Sequence, residues 1–209
     1  MKLEPDAERR LDGARDAARA GSAGALRSDA ELENELFERE SFRGLDLSGL
    51  RTKRCRFEAC DFSNAKLNGS EHVGSDFANS IFENVNLFGA SFDDCRLLGV
   101  AFTGAVLTGW TVTRGDLSYA LLRGHDLSGL DLREIRARET DFSESNLADA
   151  DLRGADLSRA RFLNVELRGA DLRDANLDGV DLAAAQIAGI RLDLAGAVQL
   201  ARSLGAEID

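Results

Sequence analysis

Stepping by five from Phe37 meets a large apolar side chain almost every time: Phe37, Phe42, Leu47, then Phe57, Phe62, Leu67 and onward to Leu192. Of the thirty-two positions in that series, only Thr52, His72 and Ala137 are not Phe, Leu, Ile or Val, and Val112 is small for the set. Neither a 3.6-residue helix nor a period-two strand generates such a pattern. A second track lies two residues before each centre and holds small side chains, among them Cys55, Cys60, Ala65, Ser70, Ser75, Ala90, Cys95, Ala150 and Ala155. Two residues after the centre stands Gly in fourteen cases, with Asn at others such as Asn64, Asn79 and Asn84. Both residues tolerate the positive φ of tight turns. The unit therefore reads small, polar, large apolar, polar, turn.

That unit, written out in Ala150-Asp151-Leu152-Arg153-Gly154, is the A(D/N)LXX signature and resembles the pentapeptide-repeat family. The resemblance implies an all-β fold: a right-handed quadrilateral β-helix with four pentapeptides per coil and the central and small residues facing inward. A period of twenty should then underlie the period of five, and it does. One column reads Phe42, Phe62, Phe82, Phe102, Leu122, Phe142, Phe162, Leu182; another, Leu47 to Ile187, has no Phe. About eight coils at a strand spacing of ~4.8 Å predict a rod of roughly 38 Å. Leu or Phe burial alone does not offset the ordering of five residues per slot, so coil-to-coil hydrogen bonds and capped ends are required.

The pattern divides the chain into a charged, Ala-rich extension at 1–36, repeats at 37–192, and a tail at 193–209. Asp6 to Ala20 reads as a short charged helix or a disordered stretch, with a linker at 21–24. In the tail, Asp193 is placed to cap a helix and Gly205 to stop it. Leu194, Ala197, Val198, Ala201 and Leu204 share one face, which predicts a cap on the last coil or a cap that also packs against a second copy. Mid-chain, Trp110 fills a small-residue slot near the off-pattern Gly115, His125 and Leu130. This predicts an outward-pushed ring and a distortion around 110–130.

Chemistry is sparse. No Gly-x-Gly or phosphate-loop motif occurs, and two His with three Cys form no metal-like grouping. His72 is on the inward track, a core position. No catalytic residue, metal, cofactor or small-molecule substrate is expected. No apolar run is long enough for a membrane span, no signal segment is apparent, and the odd cysteine count fits a reducing, cytoplasmic setting. The net charge of −11 is the wrong sign for direct nucleic-acid binding.

Several stretches are more telling than the consensus. Leu50-Arg51-Thr52-Lys53-Arg54, the neighbourhood of His72, Gly189 to Leu194, and Ala197-Val198-Gln199-Leu200-Ala201 are similar to mycobacterial MfpA-type proteins. That resemblance implies a homodimer joined through its C-terminal helices, by Leu194, Ala197, Val198, Leu200, Ala201 and Leu204. It also implies mimicry of duplex DNA toward DNA gyrase, with inhibition of supercoiling or protection from fluoroquinolones. Two such rods measure about 75 Å, roughly two turns of duplex. The candidate contacts are the ladder Asp131, Asp151 and Asp171, with Asp116, Asp126, Asp156, Glu134, Glu139, Glu144 and Asp174 nearby, Asp116 first. The repeat body holds 25 acidic and 19 basic residues, so local ladders rather than bulk charge would have to carry the mimicry. The alternative is a scaffold rod binding another protein, its acidity serving solubility.

Overall fold

The computed structural model describes residues 26–208; the expected N-terminal helix and linker lie outside them. The chain divides into two compact units at Trp110 and Thr111. Each is a parallel solenoid of twenty-residue coils. Those beginning at residues 31, 51, 71 and 91 build the first, and those beginning at 111, 131, 151 and 171 the second. Four and four make the expected eight.

In the first unit, β1 (Glu31–Glu33), β3 (Arg51–Lys53), β5 (Glu71–Val73) and β6 (Ser91–Asp93) form one parallel sheet, and β2 (Leu36–Glu38) pairs with β4 (Arg56–Glu58). β7 (Thr111–Thr113) opens the second unit, and α1 (Leu194–Ser203) ends it. The other rungs are single-residue pairings at a twenty-residue offset, such as Asp61 with Ile81 and Asp151 with Asp171.

One pentapeptide accounts for all five of its backbone donors, which no water could otherwise serve between coils. Phe62 donates to Ile81 O and Asn64 to Glu83 O, both on the next coil, while Lys66 donates back to Leu45 O. Ala65 closes the corner onto Phe62 O at 2.9 Å. Ser63 N–H has no coil partner and donates to the Asp61 carboxylate at 2.8 Å. The second unit repeats the scheme, with Arg153 N–H on Asp151. Asn86 and Asn146 serve equally well. The Asp or Asn of the signature is thus a turn-capping acceptor, and its charge is incidental to that task. From Asp29 to Gly179 every fifth residue takes a positive φ, as at Gly69 and Asn64.

Inside the first unit the phenylalanines stack at nearly the coil spacing. Phe42 and Phe62 centroids are 4.6 Å apart, Phe62 and Phe82 4.9 Å, Phe57 and Phe77 4.8 Å. The two columns meet edge-on, Phe57 to Phe62 at 5.6 Å. The solenoid starts earlier than residue 37. Leu32 lies on the inward track, buried, with β1 paired to β3. Glu35 and Glu40, standing in small-residue slots, disguise its first strand in the sequence.

Trp110 corrects an expectation. Its ring is 1 % exposed rather than pushed outward. It packs edge-on against Phe92 and Phe102, and Ala90 on the preceding coil leaves it room. Within the second unit the corners at Arg114, Tyr119, Gly124 and Gly129 keep the positive φ of the repeat, and His125 and Leu130 are half-buried in their small-residue slots. The cost is an indole Nε1–H without a hydrogen-bond partner.

His72 is a core residue, as its track predicts: fully buried, stacked on Phe92, with Nδ1 2.8 Å from Thr52 Oγ1 and Nε2 2.9 Å from Ser70 Oγ. Burial pushes its pKa down to about 3 from an ordinary 6.5. Between those values the unfolded chain binds the extra proton, so stability falls as pH drops below 6.5. The slope contributed by this one group approaches about 1.4 kcal/mol per pH unit. His72→Leu is expected to flatten the difference in urea midpoint between pH 6.5 and 4.5; an unchanged difference would assign it to other groups.

Candidate partner-binding surface

The three central ladder carboxylates do stack, Asp131 paired with Asp151 and Asp151 with Asp171 on successive coils. Like charges one strand spacing apart repel, and the chain answers with a second ladder two residues on. Arg133 grips Asp131 through two bonds of 2.8 and 2.6 Å, Arg153 grips Asp151 at 2.8 and 2.6 Å, and Arg173 grips Asp171 at 2.9 and 2.6 Å. Two of the three guanidiniums also approach the carboxylate of the next coil, Arg133 to Asp151 at 3.7 Å and Arg153 to Asp171 at 4.0 Å, with Arg191 reaching back to Asp171 at 3.9 Å to finish the column. Bonding to Arg173 holds the Asp171 carboxyl down to about 2, and Asp131 and Asp151 are lowered likewise by Arg133 and Arg153. The ladder is an ion-pair zipper with almost no net charge.

Other candidates are paired too. Asp116 caps Ser118 N–H, lies 3.4 Å from Arg136, and its side chain is only 16 % exposed. Asp156 caps Ser158, accepts from Asn176 and lies 3.9 Å from Arg138. Glu139 sits 3.9 Å from Arg159, and Glu144 binds Arg123. Among the described residues, Asp126, Glu134 and Asp174 stand apart: none has a Lys or Arg within salt-bridge distance. Asp126 accepts from Ser128 N–H and Asn146, Glu134 occupies a corner, and Asp174 N–H donates to Asp193. The arginine ladder was legible two residues after each aspartate, but reading one column at a time conceals it.

At the C-terminal end, Asp193 does cap α1. One carboxylate oxygen accepts from Gly196 N–H at 2.7 Å and the other from Asp174 N–H at 3.0 Å, tying the helix to the last coil. Gly196 is buried against that coil, Val198, Leu200 and Ala201 are half-buried, and Gly205 ends the helix at φ +84°. Ala197 is exposed, and Leu194 and Leu204 are 82 % and 59 % exposed. α1 thus covers the coil with one side and turns an apolar side to solvent.

Other chemistry is muted. Burial pushes the Cys60 and Cys95 thiols up to about 11 and about 12, and raises Cys55 as well, so all three stay protonated. Among the described residues no cluster of His, Cys, Asp and Glu is placed to hold a metal, and no helix is long and apolar enough to cross a membrane.

The family model for pentapeptide repeats matches in eight copies, over residues 73–109 and 145–182. No curated protein sequence matches. Among solved structures, full-length QnrB1, a plasmid-mediated fluoroquinolone resistance protein, is 27 % identical over 86 % of this chain and 92 % of its own, at a TM-score of 0.65. Two trypsin-treated QnrB1 variants are similar at 26 % identity over 87 % of this chain and 91 % of theirs, with TM-scores of 0.61 and 0.60. Repeats matched by the model, coils closed every twenty residues and this likeness over most of both chains agree: the chain carries pentapeptide repeats and is similar in fold to QnrB1.

Proposed function

We propose that this protein is a non-enzymatic fluoroquinolone-resistance factor that binds DNA gyrase in place of duplex DNA. The likeness to QnrB1 across most of both chains carries the reading. An acidic chain of net charge −11 agrees with it in sign, and among the candidate carboxylates Asp126, Glu134 and Asp174 form no salt bridge of the kind that holds Asp131, Asp151 and Asp171. A homodimer through α1 is part of the proposal, since Leu194, Ala197 and Leu204 present an apolar helix side that a twofold mate would cover.

The test is supercoiling of relaxed plasmid by gyrase with increasing protein, with and without ciprofloxacin. Reduced supercoiling, or fewer drug-stabilised double-strand breaks, is expected. A Leu194→Asp, Leu204→Asp double variant, altered only at exposed positions, is expected to sediment as a folded monomer and to lose most of that effect. Full activity as a monomer would remove the dimer from the proposal, and no effect of the unaltered protein would remove gyrase.

One observation favours a second reading. The neutralised zipper on Asp131, Asp151 and Asp171 suits a scaffold that docks to another protein without a strong field. The two readings separate on salt: a DNA mimic loses affinity steeply as salt rises, and a scaffold does not.

A further inference from the structure

Tyr119 stands where this fold least favours it. It is a corner residue at φ +62°, the left-handed region, where a bulky side chain crowds its own backbone. Among the described residues the other non-glycine corners at positive φ are Asp, Asn, Arg, Glu or Ala, and Tyr119 is the one aromatic. The coil imposes the conformation from both sides: Tyr119 N–H donates to Arg138 O at 2.8 Å, and Ala120 N–H closes the turn onto Leu117 O at 2.9 Å. The strained residue gains little in return. Its ring is 51 % exposed, and its hydroxyl lies 3.5 Å from Glu139, the limit of a hydrogen bond. Two residues on, Leu121 is 47 % exposed. A strained, exposed aromatic beside an exposed leucine is what a binding surface retains and a fold alone discards.

The surroundings select the kind of partner. Asp116 pairs with Arg136, Arg138 with Asp156, and Glu139 with Arg159, so the nearby charges satisfy one another. Nucleic acid would require unpaired cations here, and a membrane a wider apolar area. A charge-balanced rim around an aromatic and an aliphatic anchor fits a protein surface with an apolar pocket.

We infer that Tyr119, supported by Leu121, is the apolar anchor by which this chain docks on its protein partner, which on the reading proposed above is DNA gyrase. Carboxylates steer the encounter, and this corner sets the lifetime of the complex.

The variant to make is Tyr119→Asn, because Asn already fills the equivalent corner at Asn64, Asn79, Asn84 and Asn164. Its melting temperature is expected to stay level or rise, since strain is relieved. Its affinity for purified gyrase is expected to fall about tenfold or more, through faster dissociation and with an unchanged salt slope. Leu121→Thr should lose less. A drop in melting temperature would mean that the ring serves the fold and would overturn the inference, as would a change in oligomeric state, which would place the corner between copies. Unaltered protein that binds gyrase beside a variant that binds it equally well overturns the anchor alone. Unaltered protein that does not bind gyrase overturns both anchor and gyrase reading.

Discussion

Phe62→Ala should be the most damaging single truncation in the first unit, at about 3–5 kcal/mol of unfolding free energy. The ring is 0 % exposed and lies between Phe42 at 4.6 Å and Phe82 at 4.9 Å, with Phe57 and Phe77 against its edges. Alanine leaves a void that close-packed neighbours on adjacent coils cannot fill without parting from their own hydrogen bonds. Phe62→Leu should cost less than half as much. The same inward track carries Leu122 and Leu182 in the second unit, both buried, so a leucine fits the slot and loses mainly the ring stacking. Urea unfolding of the two variants beside the unaltered protein measures both numbers. Equal costs for Ala and Leu would mean that the stacked column is ornamental and that the coils collapse around whatever side chain is present. Because each coil contacts chiefly its neighbours, the loss should stay local to the coils around it rather than scale with chain length.

The sequence exposes what depends on side-chain direction and hides what depends on partners. An inward residue must recur every fifth place, so Phe37 to Leu192 announces the coil, and the switch at Asp193 announces the helix. The first strand, with Leu32, stayed hidden because Glu35 and Glu40 replace the small residues that follow it. Both side chains remain partly exposed in those slots. Trp110 misled because slot size was judged from its own track, whereas Ala90 and the edges of Phe92 and Phe102 determine the room. The acidic ladder misled most. Asp131, Asp151 and Asp171 form a column in sequence as in space, but each carries a turn-capping duty and an arginine. Their charge was legible, and its cancellation required the neighbouring column. Tyr119 gave no periodic signal at all, because corners face solvent and accept almost any polar residue; only its φ marks it.

That cancellation yields the sharpest test of DNA mimicry. Replacing Asp126, Glu134 and Asp174 by Asn, Gln and Asn adds three positive units to a surface that no Lys or Arg offsets within salt-bridge distance. Asn146 and Asn176 already cap turns in the same way, so Asp126→Asn should leave the coil undisturbed. Gyrase binding is expected to weaken on the order of tenfold at low salt, mostly through slower association, and to become less salt-dependent. The control removes the zipper whole: Asp131, Asp151 and Asp171 to Asn together with Arg133, Arg153 and Arg173 to Gln. Those six substitutions leave net charge where it was and retain the backbone caps. Exposed ion pairs contribute little to stability, so the melting temperature should barely move. If the field of uncompensated carboxylates is what gyrase reads, this control binds like the unaltered protein. Should the control lose as much affinity as the triple variant, the paired ladder itself is the contact, and recognition rests on its shape and hydrogen bonds instead of a likeness to phosphate charge.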